Sequence, residues 1–411
     1  MLSNVKEGGL MKALLLDGLD GVAANIFEAA GIEVTLAKTI DRPDLLRQVG
    51  AYHFLGVRGA TKIDRELLDA ATTLVAVGRG GAGMNGIDVD YATQRGVVAF
   101  NTPGANAESV AECVIGVILD ALHRLHKGST GMAQHTWLKK QCNGNSLRGR
   151  TVGVVGFGYV GKWLARLLEP FGVRVLSYDI NPTAELPWVP FVPLPALLAE
   201  SDVVSLHLPL TSSTRGLVNA DFLNQLKPGA LLVNFARGEL IDEAAVVAAL
   251  ATNQLFGYAT DVYPQEPPTA EYYAASPLFS RPELFTDGRL IMTPHLAASS
   301  EEAQQTVSEA LAKRAVAYLK EGKIPWGANF PIFYLASVAD ARLIVFHPDE
   351  QGMEAAVLGE VKGFANIAAS INQRVAPGGV AYTVIDVDGA LSRELINRVK
   401  HLPGVIAVHC A

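Results

Sequence analysis

The stretch TVGVVGFGYVGKWLARLLEPFGVRVLSYD, residues 151–179, decides the fold. It opens with an apolar, β-branched run, after which Gly156, Gly158 and Gly161 follow in G-x-G-x-x-G spacing. Trp163, Leu164, Leu167 and Leu168 then share one helical face, and a second apolar run stops at Asp179. Strand, glycine turn, helix, strand and acid in this order can hold a dinucleotide. The glycines let backbone N–H groups approach a pyrophosphate at a helix N-terminus, where the dipole favours anions. Asp179 can accept both hydroxyls of an adenosine ribose and would repel a 2′-phosphate, and no Lys or Arg occurs at positions 180–184 to neutralise one. NAD is therefore expected over NADP.

Outward from this unit the same rhythm continues in both directions. Short apolar runs alternate with amphipathic segments from Lys12 to Pro103 and again from Thr151 to His295, which predicts two parallel sheets flanked by helices. A second G-x-G-x-x-G, at Gly78, Gly80 and Gly83, is interrupted by Gly86, and the run after it ends in Asn101 instead of an acid; it reads as a turn-rich loop near a ligand. Val110, Cys113, Val114, Val117, Ile118, Ala121, Leu122 and Leu125 form an apolar helical stripe, either buried or an interface for self-association. IPWGANFP, residues 324–331, looks like a linker. Behind it residues 339–411 read strand, helix, strand, helix, strand, with the first helix running through MEAAVLGEVKGFANIAASI. The expectation is an α/β protein with two doubly wound, Rossmann-like parallel-sheet domains and a small C-terminal α+β domain of ferredoxin-like kind, one of whose usual strands is not apparent.

The 411 residues are 49% hydrophobic and 18% charged, which excludes a disordered chain. A net charge of −7 leaves no electrostatic footprint for nucleic acid or anionic lipid. No apolar run reaches the roughly 18 residues of a membrane span, and the N-terminus lacks a signal-peptide pattern. Three cysteines, Cys113, Cys142 and Cys410, are too few and too scattered for a disulfide framework or a zinc site. A cytoplasmic protein without a metal, and without nucleic-acid or membrane partners, is expected.

Candidate catalytic residues sit where open α/β sheets place their ligands, at strand ends. Arg237 closes ALLVNFAR, and its planar fork can grip a carboxylate with two hydrogen bonds while polarising an adjacent ketone. His295 follows LIMTP, and Glu266 lies on the turn DVYPQEPP. A carboxylate beside an imidazole raises the imidazole's pKa and fixes its tautomer, so His295 can pass a proton to a carbonyl oxygen as hydride arrives and remove it in reverse. Singly, each has a bland alternative: a surface arginine, a solvated acid, a core histidine. His207, in SLHLP, reads as a cofactor-wall or structural residue.

The succession GFGYVG, LHLPL, LVNFARGELID, ATDVYPQEPP and MTPHLAAS, preceded by GRGGAGMNGIDVD and FNTPGANAESVAE, resembles the D-isomer-specific 2-hydroxyacid dehydrogenases over roughly residues 12–330. The resemblance implies that Arg237, Glu266 and His295 are the catalytic set. It further implies that Asp261 bonds the nicotinamide carboxamide, and that Tyr159, Val160, Ala236 and Ala298 line the cofactor. Residues 1–107 and 296–330 would form the substrate-binding domain and 108–295 the NAD-binding domain. Residues 331–411 look like the ACT domain of the D-3-phosphoglycerate dehydrogenase branch, which implies a phosphorylated 2-hydroxy acid as substrate. Arg58, Arg79 and Gly80 are then substrate-binding candidates, as is Lys139, which matches a position that reaches a neighbouring subunit's substrate. A homodimer or homotetramer is implied, with serine as candidate effector and His347, Asp349 and Asn366 as candidate effector residues. Two positions depart from the family pattern: Ala297 stands where glycine is usual, and HPDEQGM lacks the proline-glycine turn of ACT domains. The alternatives are a glyoxylate or hydroxypyruvate reductase of the same fold, and a catalytically silent, NAD(H)-sensing interaction protein.

Overall fold

The computed structural model describes residues 10–84, 86–183, 185–335, 339–375 and 378–411. The chain forms two compact units, one running up to Ala105 and joined by Gln304–Ala411, the other Asn106–Ala303. Among the described residues, no helix is long and apolar enough to cross a membrane.

The first unit contains a parallel sheet of β1 (Lys12–Leu15), β2 (Glu33–Leu36), β3 (Phe54–Val57), β4 (Ala76–Arg79) and β5 (Val98–Asn101), in the order β2-β1-β3-β4-β5. Alternate residues of each strand face opposite sides. Leu14, Leu55, Val77 and Ala99 pack on one side, and Leu15, Phe54, Ala76 and Phe100 on the other. The helix Glu301–Glu321 covers this second side through Leu311, Ala312 and Ala315. Its approach explains the first glycine run. A Cβ at Gly78 would lie 2.6 Å from Leu311 Cδ1, and one at Gly80 2.9 Å from Val307 Cγ1. Glycine at both positions is thus required by helix packing.

The second unit is built on β6 (Thr151–Val155), β7 (Arg174–Tyr178), β8 (Val203–Leu206), β9 (Ala230–Asn234), β10 (Leu255–Thr260) and β11 (Leu290–Met292). All are parallel, in the order β11-β10-β9-β8-β6-β7. The helix Ala107–His123 buries Val110, Val114, Ile118, Ala121 and Leu122 beside Leu164 and Leu168 of the glycine-turn helix. Most of the apolar stripe is therefore core packing, while Leu125 at its end is exposed.

The C-terminal residues add β12 (Ala341–Pro348), β13 (Asn366–Arg374), β14 (Val380–Asp388) and β15 (Ala407–Cys410), an antiparallel sheet in the order β13-β14-β12-β15. With helices Met353–Lys362 and Arg393–Lys400 this is the ferredoxin-like βαββαβ arrangement. The missing strand is β13. The helix expected through residue 371 stops at Lys362, and the rest of that run is a strand. Both faces of the sheet are covered: Leu343, Val345, Ile385 and Val387 meet its own helices, whereas Ile344, Phe346, Tyr382 and Val384 join the core under helix Glu301–Glu321. On this second face, Arg342 lies opposite Asp386 and bonds it twice, at 2.7 and 2.8 Å, almost wholly buried. A third donor of the same guanidinium reaches the Glu321 carbonyl at the end of the long helix, 3.1 Å away.

The sheet register also separates the three effector candidates. His347 pairs with Ala381, near the start of β14, but Asn366 pairs with Asp388 at its end. Seven residues of strand put roughly 23 Å between those places. His347 is buried, its ring nitrogens engaged by Thr383 Oγ1 at 2.9 Å and the Pro348 carbonyl at 2.8 Å. Asp349 lies 3.5 Å from Arg374, and Asn366 donates to Asp388. Within a single chain, therefore, His347 and Asn366 lie apart along the sheet.

Candidate active site

Strand registers bring the catalytic candidates and the glycine turn of the second unit to one edge of its sheet. Val155 pairs with Leu206, Leu206 with Asn234, and Asn234 and Met292 both flank Thr260, so the C-terminal ends of β6, β8, β9, β10 and β11 are level. The glycine turn follows β6, His207 follows β8, Arg237 follows β9, Asp261 and Glu266 follow β10, and His295 follows β11.

At the glycine turn, Gly156 has a φ of +95°, and a Cβ there would lie 2.5 Å from the His207 carbonyl oxygen. Gly161 likewise faces the Gly156 carbonyl, so both are glycines because the protein packs against them. Gly158 is different. It caps the helix Tyr159–Leu168 with an ordinary φ of −80°, and a Cβ on it would meet no protein atom within 4 Å. Nothing among the described residues crowds this position, which leaves the helix N-terminus open to close approach by a ligand. Tyr159 is exposed and Val160 half-buried beside it. Asp179 holds the turn through its Oδ2, which accepts from Phe157 N at 2.7 Å, while Oδ1 accepts from Asn181 N at 2.8 Å. The residues present fit a dinucleotide. His207 Nε2 lies 2.9 Å from Ser205 Oγ, and burial pushes its pKa down to about 3, so it stays neutral.

The catalytic candidates form a connected cluster. His295 Nδ1 lies 2.5 Å from Glu266 Oε2, and the other carboxylate oxygen accepts from Tyr263 N at 2.8 Å. An ionised carboxylate can only accept, so Nδ1 carries a proton and Nε2 is the atom left for a substrate. The hydrogen bond to Glu266 raises the His295 pKa; burial opposes this, the charges of Glu266 and Asp261 add to it and that of Arg237 subtracts, and the net direction is upward. For Glu266, burial acts upward, but the bonds from His295 and Tyr263 with the charges of His295 and Arg237 outweigh it and hold the carboxyl below its usual range. Arg237 thus acts electrostatically on both partners. The site can grip an anion and move a proton beside it.

Several residues that the sequence reading did not single out hold this cluster in place. Asn234, fully buried, donates to the Arg237 carbonyl at 2.9 Å and accepts from Ala236 N at 3.1 Å. Gly238 lets the Arg237 loop lie against the backbone of Tyr263 and Pro264, which carries Glu266. Tyr263 donates its hydroxyl to the Thr293 carbonyl at 2.9 Å. The clue was available for Asn234, an amide in an otherwise apolar run. Asp261 lies underneath, fully buried: Oδ1 accepts from Thr293 Oγ1 at 2.6 Å and Leu296 N at 2.9 Å, and Oδ2 from Ala297 N at 2.9 Å. These bonds clasp the chain on both sides of His295, whose φ of +52° is left-handed. Ala297 turns its methyl into the core with Val110 and Val114, while its carbonyl accepts from Ser109 Oγ at 2.7 Å.

Of the substrate candidates of the first unit, Arg58 follows β3, Arg79 ends β4 and Gly80 follows it. Arg79 spends donors on carbonyls of its own unit, Arg58 O at 2.7 Å and Gly83 O at 2.8 Å, and so braces the loop. Arg58 N donates to Asp17 Oδ2 at 3.1 Å; burial lowers the pKa of its guanidinium, against the charge of Asp17. Lys139, in the second unit, is exposed.

Comparison with known proteins agrees with this geometry. Residues 115–297 match the model of the D-isomer specific 2-hydroxyacid dehydrogenase NAD-binding domain. The chain is 33% identical over 407 residues to a D-3-phosphoglycerate dehydrogenase of Escherichia coli K12, covering 97% of each. Among solved structures, the NAD+-bound 3-phosphoglycerate dehydrogenase of Entamoeba histolytica is similar with a TM-score of 0.64 and 28% identity, over 78% of this chain and 98% of that one. The NADPH-dependent glyoxylate/hydroxypyruvate reductase of Sinorhizobium meliloti is similar with a TM-score of 0.63 and 28% identity, over 77% and 96%. The glycine turn, the acid behind it and the arginine, glutamate and histidine at neighbouring strand ends thus belong to an NAD-dependent oxidoreductase, and the chain is a member of the D-isomer-specific 2-hydroxyacid dehydrogenase family.

Proposed function

We propose that the protein is a D-3-phosphoglycerate dehydrogenase, oxidising 3-phosphoglycerate to 3-phosphohydroxypyruvate with NAD at the start of serine biosynthesis in the cytoplasm. The observation that carries this reading is the extent of similarity. The Escherichia coli relative aligns over 97% of both chains, the C-terminal sheet included.

Arg237 binds the substrate carboxylate and orients C2. His295 Nε2 accepts the proton of the 2-hydroxyl as the C–H bond breaks, and Glu266 stabilises the imidazolium that forms. Bound NAD supplies the acceptor for the hydride leaving C2. In the reverse direction His295 begins protonated and gives its proton to the ketone oxygen. Arg58 and Lys139 are the cations assigned to the substrate phosphate. Association as a homodimer or homotetramer belongs to the same reading, and exposed Leu125, Met132 and Trp137 offer apolar surface for it.

The test is a substrate panel followed by NADH absorbance. A higher kcat/KM for 3-phosphoglycerate than for D-glycerate supports the reading. Equal use of both, with faster reduction of hydroxypyruvate or glyoxylate, would assign a reductase instead, and NADH binding without turnover of any of them a silent sensor.

A further inference from the structure

The first unit contains a cavity of about 540 Å³ whose lining does not belong to the site above. Met11, His53, Val75 and Val97, the residues just before β1, β3, β4 and β5, form one wall. These are the N-terminal ends of the strands, whereas Arg58 and Gly80 follow the C-terminal ends, so the cavity lies at the opposite pole of the sheet from the substrate candidates. The facing wall is β15 with Lys400 and the last turn of helix Glu301–Glu321, including Tyr318 and Lys320.

The charged side chains of this lining are all of one sign, and the one carboxylate among its described residues is that of Ala411, the last residue of the sequence. Its charged side chains among the described residues are Arg95, Lys320 and Lys400, and neither Asp nor Glu lines it. Arg95 is shared with Asp69 outside the cavity at 2.5 Å. Between the cations stand polar groups that are held neutral or fixed in role. His409 Nδ1 meets the Tyr318 hydroxyl at 2.5 Å, and burial, with the Lys400 charge, pushes its pKa down to about 3. His53 Nδ1 accepts from Lys12 N at 3.1 Å. Leu74, Ile344 and Ile406 supply the apolar remainder. The volume falls within the roughly 300–1,000 Å³ of small-molecule sites.

We propose that this cavity is a second ligand site, separate from the catalytic one, that binds a small organic anion, a carboxylate or a phosphate ester with a short apolar body. Lys320 and Lys400 hold the anionic group, and the ligand bridges the parallel sheet and the C-terminal sheet within one unit. The proposal does not depend on which hydroxy acid the enzyme oxidises.

The full-length protein is titrated calorimetrically with inorganic phosphate and, separately, with succinate, each in chloride buffer of matched ionic strength. Binding of at least one probe is expected in wild type, unchanged in Arg237→Gln and weakened about tenfold or more in Lys320→Gln/Lys400→Gln, since both charges that attract the anion are lost. The arm that binds tells phosphate from carboxylate. In the same double variant, kcat/KM without added anion should stay within about twofold of wild type, because neither lysine belongs to the catalytic cluster or to the substrate candidates. Lys400→Gln alone alters only an exposed side chain, and a weakening of about threefold or more is expected should the double variant fail to fold. Absence of binding by both probes, binding unchanged by the lysine variants, or binding lost in Arg237→Gln overturns the proposal.

Discussion

Replacing Gly158 and Gly161 separately by alanine should split two roles that the G-x-G-x-x-G pattern runs together. At Gly158 the backbone is unstrained and a methyl would touch no protein atom. Stability should stay within about 1 kcal/mol of wild type and can rise, because alanine restricts the unfolded chain. The same methyl would stand between a pyrophosphate and the helix N-terminal amides. Each charge-assisted hydrogen bond lost there is worth about 1.5–3 kcal/mol, so NADH affinity should fall about 10- to 100-fold. At Gly161 the Cβ would collide with the Gly156 carbonyl, which is backbone and cannot swing aside. Overpacking of this kind costs about 1–3 kcal/mol, or a Tm lower by about 2–4 °C per kcal/mol in a unit of this size. Fluorescence titration with NADH and a thermal melt on each variant provide the assay. Wild-type NADH affinity in Gly158→Ala, or a stability loss there equal to that of Gly161→Ala, would refute the reasoning.

Glu266→Gln should shift the pH dependence in both reaction directions. Oxidation needs a neutral His295 and reduction needs the imidazolium, and the carboxylate raises the imidazole's pKa; its removal should move the acid limb of oxidation and the basic limb of reduction to lower pH. Opposite charges about 4 Å apart interact by about 1 kcal/mol in water and about 4 kcal/mol at an effective dielectric of 20. With the His295 side chain 50% exposed the lower part of that range applies, and reduction on the basic side should slow about tenfold. Limbs unmoved in pH would contradict the pairing. The same pair contributes to stability: the histidine's share is complete below its unfolded pKa and is lost as pH rises through the folded one, and the glutamate's is present above its unfolded pKa and is lost as pH falls through the folded one. Arg342→Ala should destabilise the first unit by about 3–5 kcal/mol, since it strands the buried Asp386 carboxylate, whereas Arg342→Met with Asp386→Leu should recover most of the loss. Urea denaturation of the three proteins checks this, and equal midpoints would mean that the pair bears no net load.

What the sequence made legible was what local periodicity and strand-end chemistry determine. Residues 151–179 carried their own strand, turn, helix and acid, Arg237 and His295 each closely followed an apolar run, and Glu266 lay on the turn after another, so parallel topology brought them to one edge. The run FANIAASI was ambiguous because its small residues satisfy a period of two as well as 3.6; pairing with β14 selects the strand. Long-range registers, which no local pattern encodes, separate Asn366 from His347. The reasons behind individual glycines and acids were also hidden: Gly78 and Gly80 exist for the helix above them, and Asp261 clasps the His295 loop from below.

The central claim is that the imidazole of His295, seated by Glu266 beside Arg237, moves the proton in NAD-linked oxidation. The most direct measurement is kcat for 3-phosphoglycerate oxidation in His295→Asn, with the NADH dissociation constant determined on the same preparation. A fall of about 10²- to 10⁴-fold in kcat with NADH affinity retained is the predicted result. A kcat equal to that of the wild-type enzyme would contradict the account.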